Sequence, residues 1–217
     1  MDVVIALFRF FVAFLAFQGT RTIFLEGDLD GLVSFTNQSG ILLMVVMIWA
    51  GIASLRRRAY PPAWLKGAAT LFLAITGLVA FFVLEPEAAD APTIFLGLTS
   101  GQIEHQLTPL LAFVDFLLLD AHRRLRWRVA AYWLLYLVAY ATFTTIRGTV
   151  FGLDYPYGFV DLGELGWGGL AVNVAMYGVG FYVLGLVLVA VDRVLPARAI
   201  LGSAGRVPDQ VPANTAT

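Results

Sequence analysis

Residues 34–49 read Ser-Phe-Thr-Asn-Gln-Ser-Gly-Ile-Leu-Leu-Met-Val-Val-Met-Ile-Trp. About two turns of hydroxyls and amides (Ser34, Thr36, Asn37, Gln38 and Ser39) run straight into an apolar stretch that begins at Ile41. Extended to 33–55, the segment has the length a helix needs to cross a hydrocarbon core of about 30 Å. Hydrocarbon offers polar groups no hydrogen-bond partners, so each costs free energy unless another helix or a cavity supplies one. The five polar side chains are therefore expected to face protein or water rather than lipid.

Composition extends this reading to the whole chain. Of its 217 residues, 59% are hydrophobic and 13% charged, with a mean hydropathy of +0.81; soluble domains carry about 25% charge. Segments 3–24, 33–55, 64–84, 102–121, 127–147 and 168–193 each qualify as a span. The first is read as a retained helix rather than a signal peptide. Arg9 lies inside it, no basic stretch precedes its apolar run, and no small-x-small cleavage site follows.

The connections alternate in sign. Arg56, Arg57, Arg58 and Lys66 follow the second span, Arg123, Arg124, Arg126 and Arg128 the fourth, and Arg193, Arg198 and Arg206 the sixth; connections 26–30, 85–90 and 154–164 are acidic. The positive-inside rule then places both termini and the Arg-rich loops in the cytoplasm. The expected fold is all-α: an integral membrane bundle of six transmembrane helices over 1–195, followed by a disordered tail over 196–217. A net charge of −1 leaves no basic patch for nucleic acid. The absence of Cys removes disulfides, thiolate nucleophiles and Cys-ligated metals.

This topology gathers scattered polar residues into one leaflet. Thr36 lies near the outer end of the second helix and His105 near that of the fourth, while Arg21 and Arg147 end the first and fifth. Thr36 is a nucleophile candidate, or a hydroxyl bonded to its own i−4 carbonyl or a neighbouring helix. His105 is a general-base candidate or a structural imidazole, with Pro109 able to bend the helix around it. Arg21 and Arg147 could snorkel to the headgroups; Arg147, before Gly148 and the Tyr155-Pro-Tyr157 turn, grips an anionic head group or holds that loop. Deeper in the membrane, Asp115 lies about 15 Å along the fourth helix from His105 and depth-matches Arg9. An intramembrane carboxylate is a functional candidate by default, and the two readings are a packing pair or a proton relay. Asp120 is expected to balance Arg123 and Arg124. Tyr132, Tyr136, Tyr140 and Thr144 form a stripe on the fifth helix, and Asn173 and Tyr177 share a face of the sixth. No metal or other cofactor is expected: His122 lies on the opposite side from His105, leaving too few ligands.

At these residues the chain resembles the Pr6Pr family of bacterial six-span membrane proteins, and more distantly the androgen-induced gene 1 family. The matching stretches are Phe35-Thr-Asn-Gln-Ser-Gly-Ile-Leu-Leu43, His105-Gln-Leu-Thr-Pro109 with Asp115, and 136–161 with Arg147-Gly148 and Tyr155-Pro-Tyr-Gly-Phe-Val-Asp161. The second family contains threonine hydrolases that cleave fatty acid esters of hydroxy fatty acids with a membrane-embedded Thr and His. The resemblance implies Thr36 and His105 in those roles, a lipid or fatty acyl ester as substrate, and a place in a bacterial cell membrane.

The implied chemistry is coherent. A Thr hydroxyl attacks an ester when a neutral imidazole takes its proton. The oxyanion then needs donors, for which Asn37, Gln38 or helix-start amides are candidates. Arg21, Arg147, Tyr155 and Tyr157 would bind the substrate, and Glu104 or Asp161 could orient the base. Against this hydrolase stand a non-catalytic lipid-binding or transport bundle and a membrane scaffold.

Overall fold

The computed structural model describes residues 1–202 except 57 and 89; Arg57, Arg206 and most of the expected tail lie outside the described residues. The chain is a mostly helical bundle, as an all-α fold requires, with almost no strand. Among the described residues, five helices are long and apolar enough to cross a membrane: α1 (Asp2–Gly19), α3 (Phe35–Arg56), α4 (Ala63–Phe82), α7 (Arg128–Phe151) and α8 (Leu162–Val194). A short α2 (Arg21–Leu25) follows α1 after a break at Thr20.

The expected fourth span is built differently. Residues 100–119 form one continuous helical run in three pieces: α5 (Ser100–Gln102), a π-helical turn over Ile103–Leu107, and α6 (Thr108–Leu119). The run starts on a capping box, in which Thr99 accepts from the Gln102 amide and the Gln102 side chain accepts from the Thr99 amide. Pro109, which cannot donate a backbone hydrogen bond, lies two residues past the end of the π turn. A two-stranded hairpin that the hydropathy pattern does not reveal, β1 (Thr93–Phe95) and β2 (Leu98–Thr99), leads into it through Leu96 and Gly97, both at positive φ.

Two apolar cores hold the bundle together. One joins α1, α3, α4 and α6 through Val12, Ala16, Leu43, Met47, Leu73 and Ala112. Small residues on α1 and α3 let those backbones approach, as expected where lipid supplies no hydrophobic drive to associate. The other core joins α4 to α7 and α8 around Phe72, Trp133 and Leu188. The indole N–H of Trp133 donates to the Trp64 carbonyl at 3.0 Å, so this large ring is buried without an orphaned donor. Only 22% and 17% of the apolar windows of α7 and α8 are buried, so this hairpin presents most of its surface outward. Helix α8 is interrupted at Gly166 (φ 63°, ψ 172°), a conformation that glycine adopts without a steric cost.

Candidate functional site

The polar cluster opens α3, and every member has a partner. Ser39 Oγ donates to the Phe35 carbonyl one turn back at 2.7 Å. The Asn37 side-chain amide donates to the Gly31 carbonyl at 2.8 Å and that of Gln38 to the Leu32 carbonyl at 2.7 Å. These bonds tie the loop before α3 onto the helix and use one N–H of each of the two amides expected to act as oxyanion donors. The Gln38 carbonyl oxygen also accepts from the Tyr136 hydroxyl.

Ser34 and Thr36 turn toward Tyr157. The phenolic oxygen lies 3.0 Å from Ser34 Oγ, 3.4 Å from Thr36 Oγ1, and 3.4 Å from the Thr36 backbone N, which donates to it. That amide belongs to the first turn of α3, where the helix itself offers no acceptor. Tyr157 is aimed by its stack on Phe159 (centroids 5.1 Å apart, planes 6° from parallel), which in turn packs on Tyr177. Its neighbour Tyr155 lies so close to α7 that a Cβ added at Gly148 would fall 2.1 Å from the ring.

Thr36, 8% exposed, lines a cavity of about 80 Å³ between α3 and α4 on one side and the α7–α8 hairpin on the other. Its walls are apolar (Ile75, Val79, Leu137 and Phe181 among them), and its polar groups are Thr36, Thr76, Tyr140, Tyr157, Asn173 and Tyr177. The Tyr140 hydroxyl donates to the Val33 carbonyl at 2.9 Å and the Asn173 amide to the Phe159 carbonyl at 3.0 Å. Tyr132 and Tyr136 instead line a second groove, of about 340 Å³, between α3, α4 and α7. The tyrosine stripe is thus divided between two hollows.

His105 sits on the π turn and is not among the residues that line the cavity. Its imidazole faces the Thr76 backbone, and its own carbonyl lies where only a glycine, Gly77, leaves room on α4. Nδ1 is buried with no hydrogen-bond partner, and among the described residues no hydrogen bond joins His105 to Thr36. Thr76 lines the same cavity as Thr36, and its backbone faces the His105 imidazole. Glu104 packs on Gly19 of α1, and Asp161 caps α8 by accepting from the Gly163 and Glu164 amides at 2.7 and 3.3 Å. Neither is bonded to the imidazole.

The arginines separate. Helix α7 runs one turn beyond its expected end, and Arg147 there donates to the Asp154 carbonyl and lies 3.8 Å from Asp30. Of its two readings, holding the loop is the one these contacts describe. Arg21 makes no ion pair among the described residues.

At the opposite end of the bundle, charges that looked scattered form one cluster. Arg9 Nε donates to Asp115 at 2.8 Å, with both side chains 0% exposed. Lys66 bridges Asp115 and Asp120, and Arg9 also reaches Asp120 at 3.1 Å, Ser54 at 2.9 Å and the Leu119 carbonyl at 3.1 Å. Lys66 is thus a buried residue of α4 rather than a loop charge, and Asp120 balances it and Arg9 rather than Arg123 and Arg124. Two cations and two carboxylates make the cluster neutral, which is how buried charges are tolerated.

A second clamp lies nearby. Asp192 accepts from the Arg124 and Leu125 amides at 2.9 and 2.8 Å, and its carboxylate lies 3.5 Å from His122 Nδ1. His122, 1% exposed, donates from Nε2 to the Leu117 carbonyl at 3.1 Å. Burial opposes a charge on this ring, but Asp192 and the Leu117 bond outweigh it and raise its pKa above the ordinary 6.5.

Fold and site together define an all-α bundle with long apolar helices and a mostly apolar cavity ending in hydroxyls. Comparison with known protein families, with curated proteins and with solved structures returns no match.

Proposed function

We propose that this chain is a six-span protein of the cell membrane, termini on the cytoplasmic side, that hydrolyses a lipid ester with Thr36 as nucleophile and His105 as base. The observation that carries the reading is the cavity: of the five polar residues in 34–39, only Thr36 lines it. An acyl chain enters between the α7–α8 hairpin and the core, and its ester meets a hydroxyl at the start of a long helix, where the helix dipole favours negative charge. The helical run over 100–119 supports a crossing at the expected fourth span, since 20 mostly helical residues come close to the length of a hydrocarbon core of about 30 Å. His105 Nδ1, buried and unpartnered, has hydrogen-bonding capacity left for a water or a substrate.

The second reading is a lipid-binding bundle without chemistry, favoured by the absence of a hydrogen bond between His105 and Thr36. A fluorophosphonate probe separates the two. Under the first reading the purified protein is labelled, and labelling disappears in Thr36→Ala and His105→Ala variants that melt near the wild-type temperature. Labelling that survives Thr36→Ala removes the nucleophile assignment. An unlabelled wild-type protein that still retains acyl lipid through purification supports the second reading.

A further inference from the structure

Of the oxyanion donors considered for the hydrolase, the Asn37 and Gln38 side chains are turned to the Gly31 and Leu32 carbonyls rather than to Thr36, and the helix-start amides remain. We propose that the Tyr157 hydroxyl is a further donor, acting together with the Thr36 backbone N–H. The inference rests on the hydrolase reading and adds to it a catalytic residue on a different element from the nucleophile.

The argument is one of position. An oxyanion donor must lie about 3 Å from where the oxygen will be, next to the nucleophile. The phenolic oxygen is 3.4 Å from both Thr36 Oγ1 and Thr36 N, long contacts that an incoming atom can part, while its 3.0 Å contact with Ser34 is of ordinary length. A carbonyl oxygen entering between Tyr157 and the Thr36 amide meets an O–H on one side and an N–H on the other. Ser34 can then donate to the phenolic oxygen and keep it in place. The remaining supports are rigid: the ring stacks on Phe159, and the adjacent Tyr155 is seated on Gly148.

The step balances as follows. The Thr36 oxygen bonds to the ester carbon as its proton passes to the base, and the carbonyl π pair moves onto the oxygen held by Tyr157 and the amide. Collapse of that oxyanion re-forms the carbonyl and breaks the bond to the leaving alkoxide, which takes the proton from the base. Water then repeats the sequence on the acyl-threonine and releases the carboxylic acid.

Hydrolysis of p-nitrophenyl octanoate by the full chain in detergent tests this. Tyr157→Phe keeps the ring and its stack but removes the donor, so kcat should fall about 100- to 1,000-fold, the loss typical of one oxyanion donor, with KM unchanged. Placing 3,5-difluorotyrosine at 157 keeps size and hydroxyl but makes the phenol more acidic. The rate should then fall at high pH as the phenol ionises, along a limb displaced to lower pH than that of the wild type. If Tyr157→Phe folds poorly, that displaced limb decides: its absence overturns the proposal. A Thr36→Ala variant without activity beside a Tyr157→Phe variant of wild-type kcat overturns the donor alone. Activity undiminished by Thr36→Ala, or no activity in the wild type, overturns the hydrolase reading and this inference with it.

Discussion

Replacing Asp115 by Asn changes one charge at the centre of the neutral cluster with almost no change in shape. One carboxylate oxygen receives Arg9 Nε at 2.8 Å and the other faces Lys66, with no part of the side chain exposed. In the variant, two buried cations share Asp120, whose side chain is 14% exposed. Removing one partner of a buried pair costs about 3–5 kcal/mol, mostly as the penalty of the charge left behind. Arg9 retains Ser54, the Leu119 carbonyl and Asp120, which argues for the lower end, about 3 kcal/mol. At about 2–4 °C per kcal/mol for a chain of this size, the melting temperature falls by about 6–12 °C. The assay is intrinsic Trp fluorescence during heating in detergent, at one fixed scan rate because such unfolding is seldom reversible. The double variant Arg9→Met with Asp115→Leu leaves a neutral Lys66–Asp120 pair and should recover most of the loss. A loss below about 2 °C in Asp115→Asn, or a double variant as unstable as the sum of its single changes, would refute the view that charge balance holds this region.

Two further outcomes follow from the same contacts. Gly148→Ala puts a methyl group into the Tyr155 ring, at 2.1 Å before relaxation, and should cost about 1–3 kcal/mol as an overpacked site, seen as a lower melting temperature. For His122 the folded pKa is raised, so its contact with Asp192 contributes stability that is complete below the ordinary 6.5 and is lost as pH rises through the folded value. The melting temperature should therefore fall across that window in the wild type and stay flatter in His122→Gln.

Much of the bundle was legible because membrane helices advertise themselves by length and apolarity, a signal that needs no tertiary context. The segments around α1, α3, α4, α7 and α8 fall within a few residues of the helices, apart from the break at Thr20 that ends α1 five residues early, the extra turn that carries α7 to Phe151 and the early start of α8 at Leu162. The mutual placement of Arg9 and Asp115 was legible too, since alternating topology equates their depths. Lys66 was not. It sits in the first turn of α4, where a sequence shows only a charge at a span boundary, and its burial depends on α6 delivering two carboxylates to the same place. The hairpin at 93–99 was too short to leave a periodic signal, although Gly97 between two β-prone segments marked its turn. Tyr157 was expected to touch substrate; its contact with Thr36 could not be read, because 121 positions separate them along the chain.

The π turn at Ile103–Leu107 acts as a phase shifter. A π turn holds one residue more than the α-helical turn it replaces, so the helix beyond it is rotated by about 100° relative to an uninterrupted one. Before the turn Ser100 donates to the Gly19 carbonyl of α1 at 3.2 Å, and after it Asp115 accepts from Arg9 of the same helix, so the two contacts meet α1 with that extra residue between them. Deleting a single residue there would leave the composition and hydropathy of the segment almost unchanged, yet would turn either His105 or Asp115 away from the neighbours it now has. This five-residue turn therefore sets the angular register between the two polar ends of the segment.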